Sequence, residues 1–236
     1  MELLEITQKG ITGPEKLKKM LHFFDKHFDR NAAYKILDVG GTTYSYKYIQ
    51  ECFPNGQIYV LNNNKGDVSN LINHIIGDAC CMEKYYERNT FDIIISTDLI
   101  EHLTDPDSFV DGCKYCLKPG GKILITTPNL SMFYNRIALL FGYTPYNYTP
   151  STRHRVNVLF SNNKFPAYHK SVFTINGLKE LLKINGFEII SSDGFSYSGK
   201  IYSGSGGETY EKLRKYVDIF LPIGLKEGIL ILALKP

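Results

Sequence analysis

Residues 36–41 read ILDVGG, and this stretch decides how the chain is interpreted. The residues before the glycines are mostly apolar, which is typical of a strand buried on both faces of a parallel sheet. Gly40 and Gly41 then form a turn in which the backbone can approach a ligand closely, and the next helix offers unpaired N–H groups. The stretch therefore predicts the first strand of an α/β domain, with a ligand site at its end.

Apolar runs and amphipathic segments alternate outward from this stretch. Strands are predicted over 35–39, 57–61, 74–76, 91–96, 122–126, 187–191 and 228–234. Helices are predicted over 15–30, 44–52, 82–88, 106–117, 174–184 and 210–220, with a short helix or loop over 68–72. This alternation predicts a Rossmann-like, doubly wound α/β fold, in which a mostly parallel seven-stranded sheet carries helices on both faces.

Residues 129–171 interrupt the alternation. They are rich in Tyr, Asn and Pro and contain one apolar helix, predicted over 132–141. Loops of this length in compact domains are usually functional, so a small cap insertion that selects the substrate is expected here. The whole chain, 1–236, is expected to form a single domain that contains this insertion.

The composition is that of an ordinary water-soluble domain. Hydrophobic residues make up 43% of the chain and charged residues 22%, and the net charge is +3. This weak charge neither requires nor excludes a nucleic-acid partner. No apolar run approaches the roughly 20 residues of a membrane span, and the N-terminus lacks the pattern of a secretory signal. A cytoplasmic protein with reduced thiols and no membrane partner is expected.

Five pieces of the chain resemble, in order and spacing, the class I S-adenosylmethionine-dependent methyltransferases, in particular the group that acts on small molecules. The resemblance covers about residues 30–236. The pieces are ILDVGG (36–41), Gly77-Asp78, FDIIISTDLIEHLTDPDSF (91–109), LKPGGKILITTPN (117–129) and FTINGLKELLKINGFEI (173–189). The resemblance implies S-adenosylmethionine as the cofactor and S-adenosylhomocysteine as its product.

The resemblance also implies a cofactor site. Asp38 would organise the glycine turn and face the cofactor's amino group, with Gly40 and Gly41 under the methionine moiety. Asp78 would accept the adenine amino group, next to the Ala79 N–H. The remaining cofactor-binding candidates are Thr42, Asn62, Asn63, Thr97 and Asp98.

Two parts of this site depart from the family pattern. Residues 42–44 read TTY where the family repeats glycine, and residues 61–64 read LNNN where it usually has an acid for the ribose. An asparagine carbonyl accepts one such hydrogen bond without charge assistance. The alternative at 36–41 is a plain turn or a nicotinamide-dinucleotide site. At 61–64 the alternative is that the asparagines form a simple turn; Asp67 is a further candidate for the ribose. Asp78 is alternatively the cap of the next helix.

The richest cluster of reactive side chains follows the fourth strand. Glu101 and His102 lie where a base is needed near the transferred methyl group, since His titrates near neutral pH and Glu can orient it. His169 precedes FTINGL, where relatives often place an active-site histidine. Alternatively, His102 packs against the next helix and only supports the fold. The predicted catalytic residues are Glu101, His102 and His169.

A metal site is the less favoured interpretation of the same cluster. Asp98, Glu101 and His102 are hard or borderline ligands close together in the sequence. Small-RNA end methyltransferases and quinone O-methyltransferases with a similar pattern bind a divalent ion there. A further ligand would have to come from the insertion, from His169 or His154.

The favoured function is methylation of a small molecule, with oxygen as the expected acceptor atom. Cations and aromatic rings in the insertion suit an anionic or aromatic acceptor. One alternative is a nucleic-acid methyltransferase, which the absence of an Asn/Asp-Pro-Pro-Tyr/Phe motif disfavours. The other is a methyltransferase-like binding protein with weakened cofactor affinity.

Overall fold

A seven-stranded sheet forms the centre of the molecule. The computed structural model describes residues 14–64, 73–148, 150–159, 168–197 and 220–236. The strand order is β3-β2-β1-β4-β5-β7-β6. Strands β1 to β5 pair in parallel, and β7 runs antiparallel to both β5 and β6. The prediction of a mostly parallel, Rossmann-like sheet is confirmed.

The strands and helices have the following bounds. The strands are β1 Lys35–Val39, β2 Gln57–Asn62, β3 His74–Ile76, β4 Phe91–Thr97, β5 Leu117–Pro128, β6 Glu188–Phe195 and β7 Gly228–Leu234. The helices are α1 Pro14–His27, α2 Thr43–Cys52, α3 Pro106–Cys116, α4 Phe133–Leu140 and α5 Ile175–Ile184. Short 3₁₀ turns occupy Ala79–Lys84, Ile100–His102 and Ile223–Leu225.

The strands are apolar without interruption because helices cover both faces of the sheet. Successive residues point to opposite faces, so Ile94 packs with Phe109 of α3 and Leu178 of α5. Its neighbour Ile93 lies in the other core cluster, together with Leu17 of α1 and Ile49 of α2.

Three predicted elements differ most from the structure, while the other described elements agree with their predicted bounds to within three residues. The predicted helix over 82–88 is the 3₁₀ turn Ala79–Lys84, which begins earlier because Asp78 caps it. Strand β6 continues to Phe195, beyond its predicted end at 191, because β7 pairs with it as far as Phe195–Gly228. Strand β5 begins at Leu117, and residues 118–121 form an irregularity before the regular pairing resumes at Lys122. The segment predicted over 68–72 and nearly all of the helix predicted over 210–220 lie outside the described residues.

The topology places a cleft at the carboxyl ends of β1 and β4. These two strands are neighbours, and the strand order proceeds from β1 towards one edge of the sheet and from β4 towards the other. Ligands bind at such a reversal of strand order in open α/β sheets. The insertion (residues 129–171) follows β5 and is fastened back to the sheet by a bridge between Asn129 and Phe173. Among the described helices, none combines the length and apolar character needed to cross a membrane.

Candidate active site

The glycine turn is built around the buried carboxyl group of Asp38. Ser45 of α2 donates a hydrogen bond to Asp38 Oδ2 over 2.5 Å. A Cβ atom on Gly41 would overlap that carboxylate, so glycine is required there. Burial raises the pKa of Asp38 to about 7, although the Ser45 hydrogen bond and the charge of Lys16 act in the opposite direction.

Thr42 explains why the turn departs from the glycine pattern. Gly40 adopts a left-handed conformation with φ 77°, which suits glycine. Thr42 is then the N-cap of α2. Its hydroxyl accepts from the backbone N–H groups of Tyr44 and Ser45, and Ser45 Oγ accepts from Thr42 N–H over 2.7 Å. A capping box thus starts α2, and it uses a side-chain hydroxyl that a further glycine would lack.

Asn62 binds the glycine turn to the end of β2. Its amide donates to the Gly41 carbonyl over 2.6 Å, and its Oδ1 accepts from Asn64 N–H over 2.8 Å. The side chain of Asn62 is therefore committed to the fold, whereas Asn63 is exposed. Asp78 accepts from Cys80 N–H over 2.9 Å, which confirms the alternative that it caps the following turn.

Three cavities meet at the carboxyl ends of the strands. The first, of about 330 Å³, is lined by Gly40, Asn62, Asn63, Asp78, Ala79, Leu99 and His102 among others. The second, of about 150 Å³, is lined by Lys16, Gly40, Thr42, Tyr44, Ser45, Thr97 and Asp98 among others. The third, of about 340 Å³, is lined by Asp98, Glu101, His102, Pro128, Met132, Tyr146, Asn147, His169, Tyr197 and Glu227.

Shared residues show how the cavities connect. Gly40 lines the first and second cavities, Asp98 the second and third, and His102 the first and third. A ligand spanning the first two cavities would therefore lie against the glycine turn. Its middle would face the third cavity between Asp98 and His102.

Asp98 is held in a strained conformation at this junction. It has φ 50°, an uncommon value for a residue other than glycine. Lys16 of α1 pairs with Asp98 Oδ2 over 2.6 Å, and only 3% of the Lys16 side chain is exposed. Thr126 and Tyr197 donate to Asp98 Oδ1 over 3.1 and 3.2 Å. Sequence reasoning missed Lys16, Tyr197 and Glu227, since no local motif marks them.

Glu101 is buried beneath the third cavity. Thr127 donates to its Oε2 over 2.8 Å. Burial, and then the negative charge of Asp98, raise the pKa of Glu101 to about 8. The neutral acid is therefore favoured at pH 7, and Glu101 can itself donate a proton or a hydrogen bond.

His102 and His169 lie side by side, with ring centroids 5.0 Å apart. His102 Nδ1 is 3.2 Å from the Tyr168 carbonyl, and His169 Nδ1 is 2.7 Å from the Asn147 carbonyl. Because a carbonyl oxygen only accepts, these contacts favour the tautomer with hydrogen on Nδ1 and a lone pair on Nε2. Burial, the largest cause, lowers the pKa of His169 and so favours its neutral form.

The same side chains form the one group, among the described residues, whose ligand atoms could converge on a metal ion. Atoms of Glu101, His102 and His169 lie within 4.8 Å of one another. Asp98 is outside this group, and its carboxylate is paired with Lys16. His154 is exposed and is also outside the group.

Asparagine side chains hold the insertion in place. Asn135 donates to the Leu130 carbonyl over 2.8 Å and to Asn147 Oδ1 over 3.2 Å, and its Oδ1 accepts from Tyr146 N–H over 2.7 Å. Asn147 in turn donates to the Asn129 carbonyl over 3.2 Å. This network sets the position of the Asn147 carbonyl, which accepts from His169.

The described cations of the insertion are absent from the lining of the third cavity, which contains no lysine or arginine. Arg155 packs on the Tyr146 ring, with its guanidinium carbon 4.0 Å from the centroid. Arg136 donates to the Ser131 carbonyl over 2.9 Å. The cavity thus offers aromatic and carboxyl groups, and the basic side chains expected to attract an anionic acceptor lie elsewhere.

Comparisons with known proteins identify the family. A sequence model described as a methyltransferase domain matches residues 12–192. Human mitochondrial ubiquinone biosynthesis O-methyltransferase is 29% identical over 42% of this chain and 27% of its own length. Phosphoethanolamine N-methyltransferase 1 from Triticum aestivum is 36% identical over 44% of this chain and 22% of its own length. The matched part thus spans about a quarter of these curated relatives.

A solved structure extends the likeness to almost the whole fold. Phosphoethanolamine N-methyltransferase 2 from Haemonchus contortus, in complex with S-adenosyl-L-methionine, aligns with a TM-score of 0.59 and 16% identity. The alignment covers 93% of this chain and 52% of that one. The predictions of family, fold and cofactor are confirmed. The chain belongs to the methyltransferase domain family, within the class I S-adenosylmethionine-dependent methyltransferases.

Proposed function

We propose that this chain transfers a methyl group from S-adenosylmethionine to a hydroxyl oxygen of a small aromatic molecule bound in the third cavity. The observation that carries the proposal is the pair of histidines at the junction of the cavities, each with Nδ1 against a backbone carbonyl. A hydroxyl acceptor must lose its proton during methylation, and a neutral imidazole Nε2 is suited to accept it. A neutral amine can attack before it loses a proton, so it has less need of a base.

The residues of the first two cavities, together with the glycine turn and its buried Asp38, fit the cofactor. Asp38 Oδ1 is buried and has no hydrogen-bond partner among the described residues, so it offers an acceptor for the cofactor's amino group. A Cβ on Gly41 would overlap the Asp38 carboxylate, so this position of the turn has no room for a residue larger than glycine. Asn63, Asp78 and Ala79 border the larger cavity, where the adenosine part would lie.

The chemistry required of the protein is mainly alignment and proton removal. Bound S-adenosylmethionine supplies a methyl group on a positively charged sulfur that is a good leaving group. His102 is the proposed base because it borders both the first and the third cavity. His169 packs against the His102 ring and positions it, while Glu101, as a neutral acid, can donate a hydrogen bond to the acceptor oxygen.

The apolar part of the third cavity fits a flat acceptor. Pro128, Met132, Tyr146 and Tyr197 provide the walls. The carboxyl groups of Asp98 and Glu227 face the same space and disfavour an anionic acceptor. An uncharged phenol, catechol or hydroquinone therefore suits the cavity better than a phosphate or carboxylate.

Turnover of paired substrates tests the proposal. Phenols, catechols and hydroquinones are compared with the matching anilines, and S-adenosylhomocysteine formation is measured. We expect methylation of hydroxyls, and a loss of about 100-fold in kcat for His102→Gln, partly recovered as the pH is raised. S-adenosylmethionine affinity should fall far less than kcat, although His102 also borders the first cavity. His154→Gln, which alters an exposed histidine of the insertion, is the control. Turnover of anilines alone, or full activity of His102→Gln, would contradict the proposal.

A metal-assisted reaction is the second candidate, favoured by the convergence of Glu101, His102 and His169. In that case the three side chains would hold a divalent cation, which would lower the pKa of the acceptor hydroxyl. Dialysis against a chelator, followed by addition of Mg²⁺ or Zn²⁺, separates the candidates. Full activity after chelation supports the histidine base, whereas activity that returns only with the ion supports the metal.

A further inference from the structure

Helix α4 has an unusual distribution of polar and apolar side chains. Its inward side carries the buried Asn135 together with Ala138. Leu139 and Leu140 are 57% and 74% exposed, and Phe141, just after the helix, is 68% exposed. A surface helix normally presents the opposite arrangement, with apolar residues inward. The outward side of α4 is therefore suited to an apolar environment.

The exposed apolar side chains lie on two segments that hydrogen bonds join. Tyr143 follows α4, and the next residue, Thr144, donates its N–H to the Asn157 carbonyl over 2.8 Å. Asn157 also donates from its side chain to the Gly142 carbonyl over 3.0 Å, which brings the exposed Val156 alongside. We call this surface the apolar patch, formed by Leu139, Leu140, Phe141, Tyr143 and Val156. Exposed apolar surface of this kind marks an interaction site.

The charged residues of the insertion that carries the patch are all basic. Residues 129–171 contain five lysines and arginines and no aspartate or glutamate, although the whole chain has 27 basic and 24 acidic residues. Arg136 is exposed and lies one helical turn before Leu140, so both point to the same side. Arg153 is also exposed. The patch therefore has Arg136 beside its exposed apolar side chains, within an insertion that carries only positive charge.

We propose that the apolar patch docks on the surface of an anionic lipid bilayer. Leucine and aromatic side chains enter the boundary between headgroups and acyl chains, while neighbouring arginines pair with anionic headgroups. Binding at a bilayer surface does not require a spanning helix. It differs from the sequence-based expectation that no membrane takes part.

Two other occupants fit the surface less well. A second copy meeting this face through two-fold symmetry would bring the arginines of both copies together without an acidic partner. A single-stranded nucleic acid would use the arginines and the aromatic rings, but it would leave Leu139 and Leu140 unmatched. An anionic bilayer offers headgroups that pair with the arginines and acyl chains that surround Leu139 and Leu140.

The inference goes beyond methyl transfer and does not depend on it. The third cavity is walled by Met132, Tyr146, Asn147 and His169, which belong to the same insertion as the patch. Docking would therefore hold the insertion that walls this cavity at the lipid surface. An acceptor partitioned into the bilayer could then reach the cavity directly.

Vesicle co-sedimentation of the full chain tests the proposal. Vesicles of phosphatidylcholine alone are compared with vesicles that also contain phosphatidylglycerol. We expect binding to the anionic vesicles that weakens as salt is added. The double variant Leu140→Asp/Phe141→Asp should bind at least about ten-fold more weakly. Arg136→Gln and Arg153→Gln should each weaken binding by about five-fold.

A matched control is available on another helix. Ile184 at the end of α5 is 76% exposed, nearly the same as Leu140, and belongs to a different surface. Ile184→Asp should leave vesicle binding unchanged, and calorimetric binding of S-adenosylmethionine confirms that each variant is folded.

Several outcomes overturn the proposal. One is that the chain binds neither kind of vesicle. Another is that the double variant binds anionic vesicles as tightly as the wild-type chain. A concentration-dependent dimer that the double variant dissolves, without vesicle binding, assigns the patch to a second copy. Binding of a single-stranded oligonucleotide without vesicle binding assigns it to nucleic acid.

Discussion

The two sides of the cleft are built in different ways. On the side of the glycine turn, the backbone forms the site, because Gly40, Thr42 and Asp78 create turns and caps at strand ends. On the side of the insertion, side chains form the site, through the hydrogen bonds of Asn135 and Asn147. The first arrangement depends on neighbours in sequence, and the second on contacts between separate segments. The first side should therefore be sensitive to steric change, and the second to the loss of single polar groups.

The Lys16–Asp98 ion pair at the junction of the cavities should produce the largest effect on stability. Replacing Lys16 with Met leaves the Asp98 carboxylate without its cation, and Lys16 is 3% exposed. We expect the free energy of unfolding to fall by about 2–3 kcal/mol, below the upper range for buried pairs because Asp98 is partly exposed. Chemical denaturation of the wild type and of Lys16→Met measures this difference in the free energy of unfolding.

Lys19 of the same helix provides the matched comparison. It pairs with Asp193, but its side chain is 30% exposed, so water screens the pair. Lys19→Met should cost less than about 1 kcal/mol. Equal losses for the two variants would show that burial of Lys16 is irrelevant to the junction.

The buried Asp38 should give the glycine-turn side a distinctive pH dependence. Its pKa is raised from 3.8 to about 7, so the folded chain holds a proton that the unfolded chain releases. Stability without cofactor should therefore fall as the pH rises from about 4 to about 7, by at most about 1.4 kcal/mol per pH unit. Asp38→Asn should make this slope shallower. Glu101 contributes in the same direction, so some slope remains. An unchanged slope in Asp38→Asn would contradict the assignment.

Asn135→Ala should separate the two sides of the cleft. It removes the hydrogen bonds to Leu130, Tyr146 and Asn147 and leaves buried polar groups unsatisfied, at a cost of about 1–3 kcal/mol within the insertion. Amide hydrogen exchange over 129–148 should become faster. S-adenosylmethionine affinity should remain within about two-fold of the original, because the glycine turn is untouched. A large loss of cofactor affinity would mean that the two sides are not independent.

The same difference explains what the sequence could and could not predict. Strand ends, the glycine turn and the cluster Glu101–His102 follow from local patterns, because strand periodicity and turn chemistry are local properties. Lys16 and Tyr197 meet Asp98 across 82 and 99 residues of sequence, through helix packing and the extension of β6. No short motif marks such contacts. Thr42 could have been recognised, since Thr42-x-x-Ser45 has the spacing of a capping box, even though Ser replaces the usual Glu or Gln.

Calorimetric titration of S-adenosylmethionine tests the central claim most directly. The wild-type chain is compared with Gly41→Ala, whose added Cβ would collide with the Asp38 carboxylate, and with Gly224→Ala, where a Cβ meets only an ordinary contact with Ile175. We expect saturable binding by the wild type and by Gly224→Ala, and affinity about ten- to hundred-fold weaker for Gly41→Ala. No heat at millimolar ligand, or equal affinity of Gly41→Ala and the wild type, would contradict a cofactor site at residues 38–42.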